Sequence, residues 1–179
     1  MRIVAEQIAV SRYESEFAEV GRSPDGWTTT YVDPTTDERW QRIYLDSDFH
    51  GGGMPILVKE PMPSIDELLG MAANSLDLAE VAASAWLLAD QDREGRYKGP
   101  LVAIAEELAT QGHHTRAALL VAWGNLLSEM NLRPTLGKSV ADTTKDHEHF
   151  CAIAMRARTL LHIGRTDRFP RDPAVFGYR

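Results

Sequence analysis

A chain of 179 residues with 44% hydrophobic and 25% charged residues has the composition of a globular domain with a packed core, which excludes general disorder. No apolar run approaches the ~20 residues of a membrane span, and Glu6 interrupts the start where a signal peptide needs an unbroken apolar stretch. A single cysteine, Cys151, excludes a disulfide framework and any multi-cysteine metal site, so a cytoplasmic protein without membrane contact is the expectation.

The net charge of -7 is unevenly spread. Residues 1–92 hold 17 Asp and Glu against 6 Lys and Arg, whereas residues 93–179 hold 9 against 13. An acidic half repels nucleic acid and attracts a basic protein. Solvated faces that happen to be uneven would give the same numbers.

In chain order, Val10, Tyr13, Phe17 and Val20 recur at helical spacing, which predicts a short amphipathic helix in the first twenty residues. GRSPDG then reads as a turn. WTTTYV and RWQRIYL, separated by the turn chemistry of DPTTDE, predict a β-hairpin. Alternation places Trp27, Thr29 and Tyr31 on one face of the first strand and Trp40, Arg42 and Tyr44 on one face of the second. A register that joins those faces would gather four aromatics into one cluster. PILVKE is a third strand, stopped by Pro61 and Pro63.

From Ser64 the texture is helical. Ser64 with Glu67 forms a capping box ahead of the stripe Ile65, Leu68, Leu69 and Ala72. Asp77 can cap a helix carrying Leu78, Val81, Ala82, Ala85, Leu88 and Ala89, and DREGRYKG is a polar break. Pro100 suits a first helical position, with Leu101, Ile104, Ala105 and Leu108 behind it and Gly112 as the stop. Leu119, Ala122, Trp123, Leu126, Leu127 and Met130 predict a fourth helix, and residues 145–163 a fifth. The expected fold is α+β in a single domain. A small antiparallel sheet of about three strands (residues 1–63) packs on a bundle of about five helices (residues 64–164), and residues 165–179 form an extended or disordered tail.

The segment DSDFHGGGMP raises the question of chemistry. A phosphate loop is excluded, because the glycine spacing is wrong and a strand follows instead of a helix N-terminus. His-Gly-Gly-Gly also occurs in esterase oxyanion holes, but no G-x-S-x-G elbow supplies a nucleophile. His147 and His149 point to different sides of a helix, which disfavours shared metal ligation. His147 and Cys151 lie four apart on one face, geometry for a base and nucleophile that lacks an orienting group and an oxyanion site. No catalytic, cofactor or metal residue is therefore assigned. The aromatic hairpin would suit stacking on single-stranded nucleic acid only with a basic groove around it, and it lies in the acidic half. The tail's arginines and aromatics, from Arg165 to Tyr178, suit contact with RNA or a protein, against the default of a solvated end.

Taken together, Trp27, Tyr31, Asp33, Pro34, Arg39, Trp40, Tyr44, Ser47, Asp48, His50, Gly51, Gly52, Gly53 and Leu57 resemble the signature of the immunity protein 27 family of bacterial polymorphic toxin systems. The pattern is a Trp before an aromatic strand, an Asp-Pro turn, a second Trp, then a Tyr and an acidic cluster ending in His-Gly-Gly-Gly-Pro. Met54 intrudes before that proline, Asp48 stands where the pattern has Glu, and the likeness covers residues 26–57 only. The resemblance implies a cytoplasmic, non-catalytic protein that binds and neutralises a cognate toxin, a basic nuclease being one that an acidic inhibitor would attract. On this reading Asp33, Asp37, Glu38, Trp40, Tyr44, Asp46, Asp48 and His50 bind the partner. Gly51, Gly52 and Gly53 let the chain reverse between strands. The alternative is a helical scaffold or regulatory domain that binds another protein, with the hairpin as a structural lid.

Overall fold

The computed structural model describes residues 2–45 and 53–163. The expectations placed on Asp46, Ser47, Asp48, His50, Gly51 and Gly52, and on the tail, lie outside these residues. The fold is α+β, with a five-stranded antiparallel sheet where about three strands are expected. Two compact units divide between Ser64 and Ile65.

The first unit contains β1 (Ile3–Val4), α1 (Gln7–Glu16), β2 (Ala18–Arg22), β3 (Thr29–Val32), β4 (Arg39–Leu45) and β5 (Met54–Lys59). The strands are ordered β1-β5-β4-β3-β2. The two strands that sequence reasoning misses are the outer ones. β1 is two residues long, too short for any periodicity, and all five residues of β2 are exposed, so no alternation marks them. The predicted N-terminal helix is real but ends early. Phe17 turns extended (φ -92°, ψ 150°) while its N–H still caps Tyr13 O at 2.8 Å, which leaves Val20 on a strand. GRSPDG is the β2–β3 turn, with Gly26 at φ +77°. β3 and β4 form the predicted hairpin, with Tyr31 opposite Trp40 and Thr29 opposite Arg42.

α1 lies on one face of this sheet. Val4, Val10, Tyr31, Trp40 and Leu57 form the core there, with Ala9, Tyr13 and Phe17 packed against it. Trp40 stacks at 6.2 Å from the Tyr13 ring and tilts against Phe17 at 6.0 Å. Ring contacts of this kind add to the area each aromatic buries.

The second unit contains α2 (Ile65–Asn74), α3 (Leu78–Gln91), α4 (Lys98–Thr110), α5 (His114–Trp123) and α6 (Val140–Ile163). Asp77 caps α3 as expected, its carboxylate accepting from Ala79 N at 2.9 Å. α3 is buried almost all round, as a central helix must be. The polar break before α4 is less solvated than its composition suggests. Asp92 is buried and accepts from Tyr97 N at 3.0 Å, and Lys98 is fully buried. Lys98 Nζ donates to Ser128 O at 3.2 Å, and the Tyr97 hydroxyl donates to Gly124 O at 2.9 Å. The start of α4 thus holds two carbonyls of the segment after α5.

α5 stops at Trp123, short of the predicted Met130. Gly124 follows it, and Asn125 turns left-handed at φ 51°, so Met130 is left 66% exposed. α6 starts five residues before the predicted Lys145. Ser139 Oγ accepts from Asp142 N at 3.1 Å and donates to the Asp142 carboxylate at 2.7 Å, a cap hidden in what reads as a loop.

Candidate partner-binding surface

The residues singled out on the hairpin separate into three groups. Trp40 is 5% exposed and belongs to the core under α1. Asp33 serves its own turn. Its Oδ1 accepts from Thr35 N at 2.8 Å and its Oδ2 from the Thr36 hydroxyl at 2.7 Å. These two donors hold the Asp33 carboxyl below the usual carboxylate range. Asp37 completes the turn at φ 59°, a conformation Asp tolerates better than most residues, and leaves its side chain exposed.

Glu38 and Tyr44 remain partly accessible. Glu38 pairs with Lys59, and Glu60 beside it accepts from Arg39 Nε at 2.8 Å and Gln41 Nε2 at 2.7 Å. Arg39, then Gln41, hold the Glu60 carboxyl down. Asp37, Glu38, Arg39, Lys59, Glu60 and Met62 line an open groove of about 640 Å³ at this end of the sheet. The acidic hairpin is therefore mostly paired within the chain, something a count of carboxylates does not reveal.

The four aromatics share one face, as alternation requires, but they form two groups instead of one cluster. Tyr31 and Trp40 sit under α1, whereas Trp27 packs edge-to-face on Tyr44 at 5.5 Å. Between the groups stands the Thr29–Arg42 pair. Arg42 donates from Nη1 to Glu14 Oε1 at 2.7 Å and from Nη2 to the Thr29 hydroxyl at 3.0 Å, and its guanidinium lies 5.3 Å over the Tyr44 ring. Glu14, Lys59 and Glu60 carry no signal in the sequence for these roles, because each depends on a partner many residues away. Gly53 adopts φ +69° ahead of β5, a conformation that favours glycine.

Elsewhere, Cys151 Sγ lies 3.4 Å from His147 Nε2 on α6, and among the described residues no third group bonds the pair. Among the described residues no three His, Cys, Asp or Glu side chains converge to hold a metal, and no helix is long and apolar enough to cross a membrane.

The first unit is thus a small antiparallel sheet roofed by one helix, with a mostly paired polar hairpin and a half-open aromatic face. Residues 5–59 match the model of the immunity protein 27 family. That stretch runs from the residue after β1 to the end of β5, so the likeness covers the sheet unit except β1 and none of the helical one. No curated protein and no solved structure matches the chain.

Proposed function

We propose that this chain is a non-catalytic immunity protein that binds and neutralises a cognate toxin in the cytoplasm. The observation that carries the proposal is the family match, which coincides with a sheet unit folded as one compact body. The residues offered are Asp37, Glu38 and Tyr44 of the hairpin, together with Asp46, Asp48 and His50, which follow β4 in the sequence. A basic protein suits it, such as a toxin that acts on nucleic acid, because opposite charge accelerates encounter. The chain itself makes no contact with nucleic acid on this reading.

The test is a pull-down with the toxin encoded beside this chain, at low salt and at ~0.5 M, where the Debye length shrinks to a few ångström. Binding that weakens with salt supports the acidic surface. Binding indifferent to salt keeps the partner and moves the interface to apolar groups. Absence of binding at both favours the scaffold reading, to which the helical unit's exposed Leu76 (86%) and Met130 (66%) lend support.

A further inference from the structure

We infer that Asp25 and Trp27, at the β2–β3 turn, form the receptor for a cationic side chain, an arginine or a lysine, of the protein partner. This rests on the immunity reading and names the chemistry by which the partner is held.

The ring comes first. Trp40 and Trp123 are buried, whereas Trp27 stays 45% exposed. Its position is set by neighbours. Trp27 packs on Tyr44, Tyr44 lies under the Arg42 guanidinium, and Arg42 is bonded to Glu14 on α1 and Thr29 on β3. An exposed indole held this way loses little side-chain freedom on binding, the property of an interface anchor.

The carboxylate comes next. Asp25 Oδ1 accepts from the Ser23 hydroxyl and from Trp27 N at 3.0 Å, which fixes the group beside the indole's own backbone. Among the described residues no side chain takes Oδ2. The Ser23 hydroxyl, then the Trp27 N–H, hold Asp25 below the usual carboxylate range, so it is ionised at neutral pH.

An apolar partner group on this indole would strip water from the neighbouring carboxylate without replacing it. A guanidinium or ammonium meets both needs, pairing with the carboxylate and lying on the ring. Four other carboxylates of the sheet unit fit less well. Glu19, Glu38 and Glu60 already pair with Arg22, Lys59 and Arg39, so an incoming cation would have to displace one. Asp33 is spent on its turn.

The test titrates a catalytically inactive form of the toxin encoded beside this chain into the wild type, Trp27→Ala, Trp27→Phe, Asp25→Asn and, as a control, Leu76→Ala. Asp25→Asn keeps the Oδ1 acceptor, so the turn survives even if Trp27→Ala folds poorly. Trp27→Ala and Asp25→Asn should each weaken binding about tenfold or more, while Trp27→Phe loses less and Leu76→Ala nothing. The double variant should lose less than the product of the two singles, because both groups act on one cation. Wild-type binding with Trp27→Ala and Asp25→Asn both within twofold overturns the receptor and leaves the immunity reading standing. A wild type that does not bind overturns the immunity reading, and this inference with it.

Discussion

Arg42, on the middle strand of the sheet, donates from Nη1 to Glu14 Oε1 at 2.7 Å and so ties helix α1 to the face it covers. Both side chains are largely withdrawn from solvent, 18% and 26% exposed. Deleting one partner strands the other's charge beside the core, which costs more than the pair itself contributes. Glu14→Ala should lower stability by about 1–3 kcal/mol in denaturant unfolding. Arg22→Ala breaks the solvated pair with Glu19 and should change it by less than about 0.5 kcal/mol. Equal effects would refute the special standing of the Arg42 pair.

Trp40 separates core from contact. It fills the space between α1 and β4, so Trp40→Ala should cost about 3–5 kcal/mol. Trp40→Phe, which refills part of the site, should cost less and bind the partner with unchanged affinity once folded. An affinity loss for folded Trp40→Phe as large as that for Trp27→Ala would place Trp40 in the interface after all.

Lys98 makes stability depend on pH. Burial lowers its pKa to about 8, whereas the unfolded chain holds the proton up to ~10.4. Between those values the unfolded state binds more protons, so stability rises with pH through the window and is lost as pH falls towards 8. Burial raises the Tyr97 hydroxyl's pKa, which works in the opposite sense above about 10, so the comparison belongs below that. Unfolding midpoints should show a gain of about 2 kcal/mol from pH 7.5 to 9.5 in the wild type. Lys98→Met should abolish that slope; a slope that persists would assign it to another group.

Two glycines of the helical unit should respond in opposite ways to alanine. A Cβ on Gly124 would overlap Leu101 Cδ2 and lie 2.7 Å from Leu120 O, a backbone atom that cannot swing aside. Gly124→Ala should cost about 1–3 kcal/mol. Gly99, in the first turn of α4, meets nothing within 4 Å, and Gly99→Ala should be neutral or stabilise by up to about 1 kcal/mol. Melting temperatures of the two variants decide the matter.

Legibility followed locality. The β3–β4 hairpin, the Asp77 cap and the stop at Gly112 (φ +84°) are written in short-range chemistry, and sequence reasoning finds them. β2 escaped it because an edge strand with every residue exposed has no buried face to impose a period. The end of α5 escaped it because Leu126 is buried while Leu127 is partly exposed and Met130 exposed, so apolar spacing ran past the true stop. Of the expected site residues, Trp40 lies in the core and Asp33 bonds its own turn, neither of which is legible in the sequence, because residue type says nothing about which neighbour a side chain will meet.

The sequence alone determined the α+β class, the hairpin with its turn, and the family signature within it, since each rests on spacing along a few tens of residues. Tertiary structure decided which aromatics are core and which surface, and which carboxylates are already neutralised. Both depend on register and on side chains distant in sequence. Tyr31 meets Trp40 under α1 only because β3 and β4 pair as they do. Arg42 finds Glu14 only because α1 lies across the sheet.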